Sequence, residues 1–326
     1  MELIAVIFLT GLVLGYFVLA SCDVGLGMLL THTCRTPAER RRGIRAMAPL
    51  FLGTEVWLVA AIGVVAGVFP ALKDELLPWS WPVLLALLAG WLTRDAGLWL
   101  WARVDTASWQ RTWELAITAG SWALAGAWGL FLGGLLTGNV LNPLAMSCAV
   151  AVTALFALRG ATFGAERLVP APSEPTDSQA ADVAGQSIRW LARIALVAVL
   201  CSGVIVAVQS ETAFDRGPVA FGLALALAAT LVPALGRSGP WWSRHTSGIA
   251  LALAVLVVLL GVRLPGLSPE PATLSLVWLS VAPALPVMVL GQVWLYVLLR
   301  RPAYRNLCPE DGSARPHSQA PAGFFA

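Results

Sequence analysis

The chain has 326 residues, 58% of them hydrophobic and 12% charged, with a mean hydropathy of +0.77. Soluble domains carry about 25% charged residues, so this composition excludes an ordinary water-soluble globule and describes a surface that meets lipid. The net charge of +3 is too small to serve a polyanion, which argues against a nucleic-acid partner.

A helix needs about 20 apolar residues to cross a hydrocarbon core of about 30 Å. Runs of this kind lie at 3–31, 47–70, 79–102, 112–137, 141–163, 189–209, 218–235, 245–262 and 274–299. They are continuous rather than alternating, which excludes barrel strands. The expectation is therefore an all-α integral membrane protein of nine spans. The first run has no basic n-region and no A-x-A cleavage site after it, so it reads as a retained span. Residues 168–187 are rich in Pro, Ser, Ala and acids and read as a flexible cytoplasmic loop. Residues 302–326 read as a disordered cytoplasmic tail.

The basic residues are 20 Arg and Lys73. Seventeen of them lie in or beside the segments after spans one, three, five and seven and in the tail. The opposite loops hold three, Lys73, Arg216 and Arg263. Cytoplasmic loops carry the excess of Arg and Lys. The count therefore places the N-terminus outside, the C-terminus in the cytoplasm, and an odd number of spans between.

Charges at membrane depth are costly and mark function by default. Four stand out: Asp23 in span one, Glu55 in span two, and Arg94 with Asp95 in span three. Asp23, Glu55 and Arg94 each fall about eight residues from the cytoplasmic end of their span, roughly 12 Å deep at 1.5 Å per residue. One reading is a cytoplasmic proton entry path through Asp23 and Glu55. The other is a structural set in which Arg94 neutralises Asp23 or Glu55 and locks helices together, since a cationic partner keeps a carboxylate charged. Glu114 and Glu166 lie near span ends and read as interfacial.

The remaining chemistry-bearing residues are quieter. Many of the 15 Trp sit near span ends, as an interfacial belt does, whereas Trp57 sits deep, two residues after Glu55. The five Cys are scattered without metal-ligand spacing. The three His, His32, His245 and His317, fall at span ends or in the tail. Membrane haem ligation needs His or Met deep in a helix. No haem, no metal site and no catalytic residue is therefore expected on this chain.

Several segments together resemble one family. GYFVLASCDVGLGMLL (Gly15–Leu30) is similar to the first span of subunit II of cytochrome bd-type quinol oxidases. RTPAERRRGIRAMAPLFLGTEVWL (Arg35–Leu58) resembles that family's basic loop and second span. RDAG (Arg94–Gly97), WQRTWELAITAGS (Trp109–Ser121), GLFLGGLLTG (Gly129–Gly138) and RGATF (Arg159–Phe163) look like its later signatures, in the same order. The likeness covers the first half; the second half agrees in span count and layout.

The resemblance implies two four-helix bundles, 1–138 and 139–270, with a peripheral ninth helix at 271–301. It implies a heterodimer with a subunit I that carries haems b and d and the quinol site, in a complex that reduces O₂ to water in the bacterial plasma (inner) membrane. Small accessory subunits, membrane lipid and quinone are further expected neighbours. Asp23 falls on a family acid implicated in proton conduction, and Trp57 on a Trp beside the proposed oxygen entry. The chain departs from the pattern at Ala20 and Leu52, where the family has acids, and at Thr54, where it has Asn. A paralogue that keeps the fold as a structural or assembly subunit, and a secondary transporter using the buried ions as a substrate site, are the competing functions. Against the transporter, no inverted repeat is visible.

The charge count has a direct test. A reporter fused after Arg305 should behave as cytoplasmic and one inserted beside Lys73 as external, read by accessibility to a membrane-impermeant reagent. The reverse pattern would overturn the topology.

Overall fold

The computed structural model describes residues 2–169, 179–208, 217–235, 240–261, 279 and 283–300. Its elements are helices: α1 (Glu2–Thr33), α2 (Pro37–Val68), α3 (Pro70–Leu100), α4 (Ala107–Thr137), α5 (Pro143–Arg167), α6 (Ala180–Val208), α7 (Gly217–Leu235), α8 (Pro240–Gly261) and α9 (Ala284–Arg300). A single 3₁₀ turn, Trp101–Arg103, follows α3. No strand occurs among the described residues. Helices α1 to α7 are each long and apolar enough to cross a membrane; in α8 the apolar stretch is the shorter His245–Leu260. The chain divides into two compact units, Met1–Pro283 and Ala284–Ala326, and α9 is the described helix of the second. The expected tail at 302–326 lies outside the described residues.

Helix boundaries follow local chemistry. Pro37 and Pro143 open α2 and α5 at positions where a missing N–H costs nothing. Asn142 caps α5 by accepting from the Leu144 N–H at 2.9 Å. Helix α4 stops at Gly138, whose φ of 67° is the left-handed geometry that glycine tolerates. The basic segment expected as a loop, Arg35–Arg45, instead forms the first turns of α2.

From α1 to α8 packing runs from each helix to its chain neighbour, with α1 additionally against α4, α5 and α8. Helix α5 touches α1 and α4 on one side and α6 and α8 on the other. Lipid supplies no hydrophobic drive between helices, so close packing of small residues must do the work. At the α1–α5 crossing the backbones of Gly25 and Gly160 meet; a Cβ on Gly160 would lie 1.9 Å from the Gly25 carbonyl carbon. The buried face of α6 is Ala184, Ile188, Ala192, Ala195 and Ala198.

One side chain joins distant parts of the chain. Glu39, 5% exposed, closes a capping box with Thr36. Its Oε2 accepts from the N–H groups of Arg35 (2.9 Å) and Thr36 (3.0 Å). Its Oε1 accepts from those of Gln179 (3.1 Å) and Ala180 (3.2 Å). A carboxylate at the start of α6 satisfies orphan amides and meets the positive end of the helix dipole. Helix α6 accordingly begins at Ala180, inside the loop expected at 168–187; residues 170–178 lie outside the described residues.

Glu39→Ala removes all four acceptor contacts. Hydrogen bonds to charged groups contribute about 1.5–3 kcal/mol each, so the thermal midpoint in detergent should fall and amide exchange near Ala180 should rise sharply. Glu39→Gln, which keeps one acceptor oxygen, should fall between. Unchanged exchange at Ala180 in Glu39→Ala would remove this role.

Candidate functional site

Three adjacent helices bring the predicted membrane charges to one place. Asp23 on α1 forms an ion pair with Arg94 on α3, through Oδ2 and Nη2. Both are buried, at 0% and 2% exposure. The other Asp23 oxygen, Oδ1, accepts the Val24 N–H at 2.9 Å. Arg94 Nη1 reaches the Oδ1 of Asp95 at 3.1 Å, while the Phe51 ring of α2 lies 5.9 Å from its guanidinium carbon. Arg94 can sit so deep because Gly120 of α4 lies under its backbone; a Cβ there would be 2.7 Å from the Arg94 nitrogen.

Glu55 on α2 lies within hydrogen-bond reach of Asp95. Its Oε1 is buried without a hydrogen-bond partner. The cluster thus holds three carboxyl groups around one guanidinium. Glu55 and Asp95 are partly exposed, Asp95 by 22% of its side chain, unlike Asp23.

The helical spacing shows which way they open. Val59 and Ile62 lie four and seven residues after Glu55 on the same face of α2, and both are exposed. Leu88, Leu92 and Trp99 share a face with Asp95 on α3 and are exposed too. Helix α2 touches α3 far less than it touches α1. The carboxyl pair therefore borders a bare apolar face.

Trp57 points elsewhere. Its ring lies against Gly15 of α1, where a Cβ would be 2.3 Å from the indole, and its Nε1 is buried without a partner. Tyr16, two turns before Asp23, is closed off by Trp128, whose Nε1 donates to the Tyr16 hydroxyl at 3.0 Å.

A second ionic site escapes sequence reasoning. Glu114, expected at the interface, is 4% exposed. It pairs with Arg40 at 3.1 Å and accepts from Trp101 Nε1 at 3.2 Å. The three residues come from α2, the 3₁₀ turn and α4, so no spacing announces them. The one hint is an acid inside an otherwise apolar run.

Among the described residues no group of three or more His, Cys, Asp or Glu could hold a metal ion. His32 and His245 are exposed near the ends of α1 and α8. Neither places an imidazole inside the bundle, so these residues do not fit a haem. His317 lies outside the described residues.

Comparison with known proteins gives a consistent set. The family described as cytochrome bd terminal oxidase subunit II matches residues 1–299. The chain is 26% identical to the probable cytochrome oxidase subunit 2 of Haemophilus influenzae and 27% identical to the cytochrome bd-I ubiquinol oxidase subunit 2 of Escherichia coli K12. Each alignment covers 47% of this chain and 45% of the relative, so the chain matches about half the length of these two. It is 21% identical to the cytochrome bd ubiquinol oxidase subunit 2 of Bacillus subtilis, over 92% of this chain and 94% of that one. The bd oxidase structure from Geobacillus thermodenitrificans has a similar fold, with a TM-score of 0.68 at 11% identity, covering 92% of this chain and 99% of that one.

The ion pair has a thermodynamic signature. Breaking a buried pair by removing one partner costs about 3–5 kcal/mol, whereas replacing both with apolar residues is often close to neutral. Arg94→Met should therefore destabilise the detergent-solubilised protein strongly, and Asp23→Leu combined with Arg94→Met should recover most of the loss. Thermal unfolding of the single and double variants checks this; additive losses would show that the two residues do not act as a pair.

Proposed function

Because the chain belongs to the cytochrome bd terminal oxidase subunit II family, we propose that it is the haem-free second subunit of a bacterial quinol:O₂ oxidoreductase. In this reading it sits in the inner membrane, N-terminus outside. Two four-helix bundles, 1–138 and 139–270, are flanked by a peripheral helix at 271–301. Subunit I of the heterodimer carries haems b and d, the quinol site and the reduction of O₂ to water. Trp57 remains the candidate for lining an oxygen entry.

The observation that carries the reading is the position of Glu55 and Asp95 on a bare apolar face. Partly exposed carboxyls on lipid-facing helices are costly, and such groups normally face protein or a water-filled cavity. A partner subunit over α2 and α3 would supply that cover. It would also place the carboxyl pair at the contact between subunits, where a proton taken up by this chain could pass to the other. Two carboxyls side by side repel when both are charged, which favours a proton shared between them as the one exchanged.

Asp23 takes a different part. Both its oxygens are engaged, by Arg94 and by the Val24 amide. It holds Arg94 beside Asp95, and proton exchange falls to Glu55 and Asp95. A structural or assembly subunit is the second reading, and the full engagement of Asp23 favours it. The two separate by experiment.

The test uses the assembled complex with tagged chain, measuring subunit co-purification, haem absorbance and quinol-driven oxygen consumption in the same membranes. Glu55→Gln and Asp95→Asn should leave assembly and haem content intact and lower turnover on the order of 100-fold, the scale of a lost proton-transfer group. Asp23→Asn should chiefly reduce assembly, because it strands a buried Arg. Full turnover in Glu55→Gln and Asp95→Asn would leave the structural reading standing.

A further inference from the structure

Helix α6 carries an unusual surface at its N-terminal end. Arg189, Trp190 and Arg193 are all exposed, and the Arg193 guanidinium lies 5.0 Å from the centre of the Trp190 ring. Neither arginine forms an ion pair with any described residue. The helix has one acid, Asp182, about two turns before Arg189. Beyond Arg193 the same face continues as Ile194, Val197, Leu200 and Val204, all about half or more exposed. The opposite face is the alanine-rich one packed within the bundle.

Depth decides what these arginines need. Arg193 lies fifteen residues before Val208, about 22 Å along the helix. A hydrocarbon core of about 30 Å ending near Val208 would therefore put Arg193 inside it and Arg189 at its edge. Side chains on a helix lean toward its N-terminus, here toward the nearer headgroups. Arg193 leans that way over Trp190 and can reach the headgroup level from below. A cation held there, over an indole ring, calls for an anion at headgroup height. From Ile194 the apolar stripe runs about 15 Å toward Val204, and its first turn, with Ile194 and Val197, lies in the same leaflet as Arg193.

We propose that Arg189, Trp190 and Arg193 form a site for an anionic phospholipid. The phosphate bridges the two guanidinium groups, and an acyl chain lies along the start of the stripe, beside Ile194 and Val197. Arg forks match phosphate geometry in pairs, and basic clusters at helix ends are a recognised lipid signature. An acidic segment of another protein would satisfy the charges but has no use for an apolar track that continues into the membrane core. The site depends on α6 crossing the membrane, not on the oxidase reading. It occupies the cytoplasmic leaflet if the charge-based topology holds.

The test is native mass spectrometry of the delipidated complex, titrated with phosphatidylglycerol or phosphatidylcholine. Wild type should prefer phosphatidylglycerol about 30-fold, two arginines contributing about fivefold each. Arg189→Gln with Arg193→Gln should abolish the preference while leaving thermal unfolding in lipid-free detergent unchanged, since both side chains are exposed. Trp190→Ala should weaken it in part. Equal binding of phosphatidylcholine, or an undiminished preference in the double variant, would overturn the proposal. So would competition by glycerol phosphate as effective as by the intact lipid, which would leave an anion site without the acyl track. A photo-crosslinker at position 190 that captures a protein instead of lipid would also overturn it.

Discussion

The pairing of Asp23 with Arg94 removes two charges from both water and lipid, and the first four helices are arranged to permit it. Burying an ion is expensive unless its remaining hydrogen-bonding capacity is met. Asp23 meets this by taking the Val24 amide as well. Arg94 meets it in part through Asp95 and the face of Phe51. The guanidinium can reach α1 only if α3 lies close to α4, and Gly120 allows that approach. A buried pair of this kind is a poor source of net stability but a strict one of geometry, since α1 and α3 cannot slide without stranding a charge.

Four of the acids inside or beside the membrane divide by how fully their oxygens are used. Glu39 takes four backbone amides and holds the start of α6 on the start of α2. Glu114 takes Arg40 and an indole N–H. Asp23 takes Arg94 and an amide. Glu55 differs, because one of its oxygens is buried without a partner and it faces another carboxyl. A carboxylate with donors on both oxygens is held in place. A carboxyl with spare capacity and a like neighbour is where a proton can come and go. That contrast, more than depth in the membrane, separates structural acids from candidate carriers in this chain.

Two faces of the molecule follow the same logic at the surface. On α2 and α3 the charges next to bare apolar residues are acids, roughly 12 Å deep by the helical rise and so below the headgroups; a protein partner suits them. On α6 they are arginines near the helix end, which lipid phosphate can neutralise directly. The sign and depth of the exposed charge, set against similar apolar surroundings, select between a protein and a lipid neighbour.

Composition and run length alone determined that the chain is a helical membrane protein, because a bilayer leaves few ways to satisfy a backbone and each needs about 20 apolar residues. The same local rules marked Asp23, Glu55, Arg94 and Asp95, since an ion in an apolar run is conspicuous wherever it points. A pairing of Arg94 with Asp23 or Glu55 was legible as one reading, but which of the two it meets, and the other contacts across the chain, lay beyond reach. That Arg94 holds Asp23 and Asp95 while Glu55 keeps an oxygen free depends on the rotation of three helices about their axes. Helix α6 begins at Ala180 because its cap is Glu39, 141 residues earlier. Glu114 is buried because Arg40 and Trp101 fold over it. Sequence spacing encodes neighbours on one helix, whereas these contacts join separate helices, and only their packing decides which charges meet.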